Sequence, residues 1–237
     1  MSFNHQMNNF GKREIYDATI KRPFKMIISG PSNVGKSRFT FNLLKHRDKL
    51  IGENAFVSIY YFYGKQNTGI SDLKAWSAEE NINLHLIEGL ETFDVDDLID
   101  TNGGHVLIIF DDLMEQVMQP EFTNLFTMHS HHSNLSIILI VQDFFFNAGG
   151  GKSSSARVII TRNSNYFVLF NSPLDNETPL LIGKKVMPGA SKTFMSIFKH
   201  ACKNFRYLLI DGSIITDNSI RFRTNLFDKI QNVYILD

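Results

Sequence analysis

The octapeptide at residues 30–37, Gly-Pro-Ser-Asn-Val-Gly-Lys-Ser, constrains the fold of this chain more than any other feature. It fits the pattern G-x-x-x-x-G-K-[ST], in which glycines let the backbone curl so that several N–H groups point at one anion. The preceding residues 25–29, Lys-Met-Ile-Ile-Ser, predict a short strand, and the following residues place Phe39, Leu43 and Leu44 at helical spacing. A strand, a glycine-rich turn and a helix are what a phosphate-binding loop requires.

The residues of this loop have expected roles in binding a nucleoside triphosphate. The loop backbone would hold the phosphates, and the helix that follows would add the positive end of its dipole. We expect Lys36 to reach the β- and γ-phosphates and Ser37 to ligate Mg²⁺ through its hydroxyl. The residues predicted to bind the nucleotide are Gly30, Pro31, Ser32, Asn33, Val34, Gly35, Lys36 and Ser37. The alternative is a glycine-rich strand–helix turn that binds no ligand.

Two acidic residues follow a second strand signal. Residues 105–110, a histidine followed by five apolar residues, lead directly into Asp111 and Asp112. Ligands bind at the carboxyl ends of the strands of a parallel sheet, so both acids are expected near the phosphates. We predict that Asp111 orients Mg²⁺ or its water shell and that Asp112 is the general base for the attacking water. Asp112 would also suit the cap of a helix beginning after Leu113, and the two roles are compatible.

A neutral amide follows a third apolar strand. Gln142 comes directly after residues 136–141, Ser-Ile-Ile-Leu-Ile-Val. We predict a catalytic role for Gln142, because an amide at this edge can hydrogen-bond both the γ-phosphate and the attacking water. The alternative is an ordinary polar residue at a strand end.

Strand and helix signals alternate along the chain. The predicted strands are residues 25–29, 57–63, 83–87, 105–110, 136–141, 166–170 and 206–210. The predicted helices are residues 37–46, 71–80, 95–99, 121–130 and 191–204. Continuous apolar strands separated by helices are typical of an α/β fold with a central, mostly parallel sheet covered by helices on both faces. We predict a polar amino-terminal arm over residues 1–22, one ATPase domain over residues 23–237, and a flexible glycine-rich loop over residues 149–155.

The charges of the chain cancel in total but are unevenly distributed. Residues 1–74 carry 12 Lys and Arg against 5 Asp and Glu, and residues 152–237 carry 12 against 6. Residues 75–151 carry 13 acids and no Lys or Arg. An acidic middle segment between two basic segments suits a protein that holds Mg²⁺ with the middle segment and phosphates with the flanking ones.

The single cysteine, Cys202, excludes an internal disulfide and a cysteine-based zinc cluster. The apolar runs are too short to span a bilayer, so we expect an intracellular protein without a membrane span.

Longer segments resemble the FtsK/HerA superfamily of ring-forming DNA-translocating ATPases. They most resemble its viral genome-packaging branch, which occurs in poxviruses, Maverick/Polinton elements, virophages and related DNA viruses. The likeness covers about residues 24–227 and is carried by PFKMIISGPSNVGKSRF, IYYFYGKQ, IIFDDLM, HSHHSNLSIILIVQDFF, ARVIITRNSNYFVLFNSPLD, MPGASKTFMSIFKHACKNFRYLLIDGS and RFRTNLF. The segments after Gln142 are the most discriminating, because many ATPase families share the phosphate-binding loop. Asp112 stands where much of the superfamily has Glu.

The resemblance implies a RecA-like (ASCE) P-loop NTPase that uses ATP and Mg²⁺ to package double-stranded viral DNA into a capsid. It implies a homo-oligomeric ring, a pentamer or a hexamer, with capsid or portal-vertex proteins as partners. In such rings an arginine from one subunit stabilises the transferring phosphoryl group in its neighbour. We expect Arg157 in this role, with Arg162 as the alternative, and we expect the protein in the host cytoplasm, the viral factory or the virion.

A basic region after residue 177 is a candidate DNA contact. Residues 178–210 contain no acid and six basic residues: Lys184, Lys185, Lys192, Lys199, Lys203 and Arg206. Three of them, Lys192, Lys199 and Lys203, would share one face of the predicted helix and suit the DNA phosphate backbone. A solvated helix face is the alternative, and the loop at residues 149–155 with Lys152 is a second candidate DNA contact.

Two other functions fit the phosphate-binding loop. One is a P-loop nucleoside or nucleotide kinase, which would run as a monomer or dimer and ignore DNA. The other is a non-motor ATP-binding virion protein. The hydrolytic set of Asp112, Gln142 and Arg157 argues against the second, because such residues serve hydrolysis.

Overall fold

The computed structural model describes residues 10–15, 18–65, 68–90, 104–127, 134–143 and 152–236. Its strands are β1 (Phe10–Ile15), β2 (Lys25–Ser29), β3 (Ser58–Tyr63), β4 (Leu84–Glu88), β5 (Val106–Asp111), β6 (Leu135–Val141), β7 (Tyr166–Phe170), β8 (Tyr207–Asp211), β9 (Phe222–Thr224) and β10 (Gln231–Leu236). Its helices are α1 (Lys36–Lys45), α2 (Arg47–Leu50), α3 (Thr68–Glu79), α4 (Met114–Val117), α5 (Pro120–Thr127), α6 (Lys152–Asn163), α7 (Glu177–Val186) and α8 (Ser191–Ala201). Short 3₁₀ turns occur at Lys203–Phe205 and Asn218–Ile220.

All ten described strands form one sheet in the order β1-β10-β9-β8-β7-β2-β6-β5-β3-β4. From β7 to β4 neighbouring strands run parallel, and from β7 to β1 they run antiparallel. The predicted α/β fold with a central, mostly parallel sheet is therefore confirmed. The carboxyl ends of β2, β5 and β6 lie side by side at one edge of the sheet, which we call the site edge.

Helices cover both faces of the sheet because the central strands are apolar on both sides. The side chains of β5 alternate between the two cores: Val106, Ile108 and Phe110 face one, and Leu107 and Ile109 face the other. The first core contains the apolar side chains of α4 to α8, and the second contains those of α1, α2 and α3. This three-layer packing fixes the site edge between the two helical layers.

The prediction of an arm over residues 1–22 is wrong for part of that range. Residues 10–15 form β1, which pairs with β10 from Phe10↔Leu236 to Ile15↔Gln231. Ile20 is also only 1% exposed and belongs to the second core. An edge strand with four polar or small residues between Phe10 and Ile15 carries little of the apolar alternation that identifies strands. Residues 1–9 lie outside the described residues.

The loop predicted over residues 149–155 also needs correction. Helix α6 begins at Lys152, so the Ser-rich part of that segment is helical. Ala156 and Ile160 are both buried at a spacing of four, and Ile160 belongs to the first core. This buried stripe, which the composition of the segment does not reveal, holds the helix against the rest of the protein. Residues 149–151 lie outside the described residues, as do the side chain of Lys152 and the helix predicted at 95–99.

Other differences concern short or late elements. Helices α2 and α7 and strands β9 and β10 were not predicted, and α3 begins three residues earlier than predicted. Helix α4 begins at Met114, where a helix after Leu113 had been considered. The helix predicted to reach residue 204 ends at Ala201, because Asn204 adopts a left-handed conformation with φ 56° that no α-helix can continue. The helix predicted at 121–130 is seen as α5, with residues 128–130 outside the described part. Within the described residues, every helix is too short or too polar to cross a lipid bilayer.

Candidate nucleotide-binding site

The phosphate-binding loop between β2 and α1 follows a path that depends on its glycines. Gly35 has φ 104° and Asn33 has φ 64°, a region that suits glycine and is tolerated by asparagine. A Cβ atom at Gly30 would lie 2.6 Å from the Cβ of Phe170 on the neighbouring β7. Glycine is thus required at one end of the loop by space and at the other by backbone conformation.

The amino end of α1 and Lys36 give the loop its positive character. The first turn of α1 holds no acidic residue and makes no side-chain capping bond, so its N–H groups and dipole favour an anion. The Nζ of Lys36 donates to the carbonyl oxygens of Gly30 at 2.6 Å and Pro31 at 2.8 Å, which places the ammonium across the loop. Burial lowers the pKa of Lys36, and the charges of Asp111 and Asp112 oppose this shift.

Asp111 ends β5 beside the first turn of α1. Its Oδ2 accepts hydrogen bonds from Ser37 Oγ at 3.2 Å and from the Tyr61 hydroxyl at 2.6 Å. Burial raises the pKa of Asp111, and the bonds from Tyr61 and Ser37 work in the opposite direction. The predicted metal residues Ser37 and Asp111 are therefore together, and their oxygen atoms fit Mg²⁺, which binds one or two carboxylates plus substrate phosphates.

Asp112 turns out of the strand and meets Gln142. Its φ of 59° is left-handed, and its backbone N–H donates to Ile140 at 3.3 Å. The Nε2 of Gln142 donates to Asp112 Oδ1 at 3.2 Å, and both side chains are exposed. Helix α4 has Leu113 as its N-cap residue without a side-chain capping bond, so the cap role considered for Asp112 is not observed. The predicted base and the predicted amide thus form one hydrogen-bonded pair.

These side chains face one cavity of about 230 Å³. It is lined by Ser32, Asn33, Lys36, Ser37, Tyr63, Gly64, Lys65, Asp111, Asp112, Ile140, Val141 and Gln142. Gly30 and Pro31 instead line a second cavity of about 330 Å³ on the other side of the loop. The loop residues Val34 and Gly35 line neither cavity.

Sequence reasoning missed three residues that contribute to this site. Gly64 and Lys65 follow β3 and line the cavity, and Tyr61 binds Asp111 from within the sheet. A Cβ at Gly64 would lie 3.0 Å from the carbonyl oxygen of Asp112, so glycine allows the β3 and β5 ends to approach. The sequence offered one signal for Gly64 and Lys65, because a Gly-Lys pair directly after a strand indicates a turn. That signal does not show which other strands lie beside the turn.

The arginines expected to act between subunits both lie on α6. Arg157 is half-buried in the middle of the helix, and Arg162 is exposed in its last turn. Burial lowers the pKa of Lys185, and the nearby charge of Arg162 lowers this pKa further. Neither lines the cavity of its own chain. Because α6 leads from the site edge to the start of β7, Arg162 lies towards the opposite edge of the sheet.

All six basic residues of the predicted DNA contact are exposed. Lys192 and Lys199 lie on α8, while Lys203 belongs to the following turn rather than to the helix. Burial lowers the pKa of His200, and the nearby charges of Lys203 and of Lys12 in β1 lower this pKa further. We call Lys12, Lys199, Lys203 and Arg206 the basic surface; neither ion pair found among the described residues involves them.

Comparison with known proteins identifies one family. The sequence model of the family described as "Poxvirus A32 protein" matches residues 11–237, a range that includes the whole candidate site. No curated protein matches the chain. Among solved structures, the genome packaging NTPase B204 from Sulfolobus turreted icosahedral virus 2, in complex with ATP-gammaS, is similar at 14% sequence identity and a TM-score of 0.44. The alignment covers 90% of this chain and 98% of that one.

Proposed function

The chain belongs to the Poxvirus A32 protein family of viral genome-packaging ATPases, and on that premise we propose that its ATPase is Mg²⁺-dependent and drives double-stranded DNA into a capsid. The family match confirms the resemblance seen in the sequence. One observation carries the enzymatic part of the proposal: the Asp112–Gln142 pair faces the same cavity as Lys36, Ser37 and Asp111. Groups suited to hold the phosphates, the metal and the water thus share one space.

The binding step follows from the phosphate-binding loop. The backbone of residues 30–35 and the amino end of α1 would receive the phosphates, and Lys36 would exchange its two carbonyl partners for phosphate oxygens. Ser37 and Asp111 would hold Mg²⁺, which neutralises phosphate charge when it is bound. Burial of the lysine increases the strength of its interaction with the phosphates, because the surroundings screen less than water does.

The hydrolytic step follows from Asp112 and Gln142. A water oxygen attacks the γ-phosphorus, the bond from that phosphorus to the β–γ bridging oxygen breaks, and ADP leaves. Asp112 takes the proton of the water, and Gln142 orients both the carboxylate and the water through its amide. Asp is one methylene shorter than the Glu of much of the superfamily, and the hydrogen bond from Gln142 fixes the direction of this shorter side chain.

The motor part of the proposal concerns assembly and DNA. We propose a homo-oligomeric ring in which Arg157, or alternatively Arg162, reaches the nucleotide of the neighbouring subunit. The basic surface would contact the phosphate backbone without reading bases, which is supported by the exposure of its cations and the absence of ion pairs to them among the described residues. Capsid or portal-vertex proteins would be the partners of the ring.

The test is steady-state ATP hydrolysis with and without linear double-stranded DNA, in Mg²⁺ and in EDTA, on protein whose mass is measured by light scattering. We expect a multimer whose turnover needs Mg²⁺ and is stimulated by DNA. Lys36→Ala is the control, since it removes the ammonium that crosses the loop and should abolish turnover. Turnover that ignores DNA, in a monomer, would contradict the motor and favour the kinase.

A further inference from the structure

Tyr61 lies beneath the carboxylate of Asp111, and we propose that it is a positioning residue for the metal-binding side of the site. The inference rests on the proposed function, because it assigns to Tyr61 the task of holding the predicted Mg²⁺ ligand in its working orientation. The hydroxyl of Tyr61 donates to Asp111 Oδ2 at 2.6 Å, and the tyrosine is 1% exposed.

The register of two parallel strands creates this contact. In the β3–β5 pair, Tyr61 lies opposite Ile109, and Tyr63 lies opposite Asp111. Side chains alternate along a strand, so Tyr61, Ile109 and Asp111 are on the same face of the sheet, the face covered by α1. A tyrosine is long enough to reach the diagonal neighbour two residues beyond its opposite residue, and the Tyr61 hydroxyl meets the carboxylate from inside the protein.

Two donors approach the same carboxylate oxygen. Ser37 Oγ binds Asp111 Oδ2 from the first turn of α1, and the Tyr61 hydroxyl binds it from the sheet. With one oxygen held from both sides, the carboxylate cannot rotate freely about its Cβ–Cγ bond. Hydrogen bonds of this kind orient metal ligands, and losing one typically costs about 10- to 100-fold in metal affinity or activity.

The hydroxyl of Tyr61 differs from those of other buried tyrosines in where its partner lies. The Tyr207 hydroxyl accepts from the backbone N–H of Leu226. The Tyr166 hydroxyl accepts from the backbone N–H of Lys21 and also interacts with the carboxylate of Asp211, which does not line the cavity. The Tyr61 hydroxyl instead donates to the carboxylate of the candidate site.

The experiment compares Tyr61→Phe with Tyr166→Phe. The first keeps the ring and removes only the hydroxyl that binds Asp111. The second is matched, because Tyr166 is also fully buried in the sheet but lies at its opposite edge. Three quantities are measured: the affinity for a fluorescent ATP analogue in EDTA, the affinity of the ADP complex for Mn²⁺ by electron paramagnetic resonance, and the Mg²⁺ concentration that gives half-maximal ATP turnover.

We expect Tyr61→Phe to weaken Mn²⁺ binding and raise the half-activating Mg²⁺ concentration by about tenfold, with unchanged nucleotide affinity in EDTA. Tyr166→Phe should leave the metal readings unchanged. In an Asp111→Asn background, Tyr61→Phe should have no further effect on Mn²⁺ binding, because the tyrosine acts through that carboxylate.

Unchanged Mn²⁺ and Mg²⁺ dependence in folded Tyr61→Phe would overturn the inference, as would an equal loss in the Asn background. These failures are distinguishable from failure of the proposed function, which would appear as wild-type protein without Mg²⁺-dependent hydrolysis. Thermal unfolding of each variant separates a loss of folding from a loss of metal binding.

Discussion

The backbone conformation of Asp112 determines which substitution can test its role as the general base without straining the fold. The left-handed φ of 59° is tolerated by Asp and Asn but strained for most other residues. Asp112→Asn keeps the shape and an oxygen that can accept from Gln142, and it removes the basic carboxylate. We expect retained ATP binding and a fall in turnover of about 10²-fold or more, because a general base contributes that much.

The measurements for Asp112→Asn are the turnover number and the dissociation constant for ATP. Glu115→Gln is the matched control: this exposed acid lies three residues further on, in α4, and does not line the cavity. Full turnover in Asp112→Asn would assign the base to Asp111 or to a group from another subunit.

His105 provides a pH-dependent test at the other end of β5. The Ser136 hydroxyl accepts from Phe24 N–H at 3.0 Å and lies 2.9 Å from His105 Nε2, an arrangement that suits a neutral imidazole accepting the hydroxyl proton. Burial, with a smaller effect from Arg22, lowers the pKa of His105 from 6.5 to about 4. Between these two pKa values the unfolded chain binds a proton at His105 that the folded chain does not bind. The contribution of neutral His105 to the free energy of unfolding is therefore complete above the unfolded-state pKa, and it is lost as the pH falls towards the folded-state pKa.

We expect wild-type protein to lose more unfolding free energy than His105→Gln when the pH is lowered from about 7 to about 5. Urea unfolding at both pH values measures this, with exposed His85→Gln as the control. Parallel losses in wild type and His105→Gln would show that His105 does not govern the change.

At the candidate site, the sequence predicted the residues that belong to a short continuous pattern. Asp111 and Gln142 each follow a strand signal directly, and Ser37 ends the loop motif that follows a third strand. Parallel strands bring their carboxyl ends to one edge. Tyr61 and Lys65 were not predicted, because their roles depend on which strand lies beside β5 and in what register. Register comes from long-range pairing, and nothing in residues 57–63 alone contains it.

Helices and strands were likewise predicted where a local pattern identifies them and missed where they depend on distant contacts. The central strands were found because they are buried on both faces and hence continuously apolar. Strand β1 was missed because it lies at the edge of the sheet and is mostly polar, and its existence depends on pairing with β10 more than two hundred residues away. The whole of α6 was missed. The Gly-Ser composition of residues 149–155 indicates a loop, and Ala156 and Ile160 become buried only in the folded protein.

Most of the basic surface lies on and just after α8, so its contribution to DNA binding can be tested by changing that helix and the turn after it. Replacing Lys199 and Lys203 together by alanine removes two exposed cations next to His200. We expect weaker binding of double-stranded DNA of any sequence and a salt dependence whose slope falls by about two, one for each lost phosphate contact. ATP turnover without DNA should not change, because neither lysine lines the cavity.

DNA binding at several salt concentrations measures the slope for this double variant. Lys49→Ala is the control, since Lys49 is an exposed lysine of α2, on the opposite face of the sheet. An unchanged slope would show that the basic surface is a solvated face, and DNA contact would then have to come from another part of the ring.

The cavity of one chain is lined by Lys36, by the expected metal ligands Ser37 and Asp111 and by the expected base Asp112, but by neither arginine of α6. In the proposed ring, we therefore expect an arginine of the neighbouring subunit to stabilise the charge of the transferring phosphoryl group. Arg157→Ala subunits should bind ATP normally, because their own cavity is intact, and should fail to complete the site of the next subunit.

Mixing Arg157→Ala subunits into wild-type rings tests this relation. In the proposed ring, each altered subunit would leave the site of its neighbour without the arginine. If the subunits hydrolyse ATP one after another, we expect DNA-stimulated turnover to fall faster than the fraction of wild-type subunits. Arg162→Ala, five residues further along the same helix, is the comparison, and the steeper curve of the two identifies the arginine that acts between subunits. If turnover falls only in proportion for both variants, neither arginine acts in trans, and each chain then hydrolyses ATP with groups of its own or with a different residue of its neighbour.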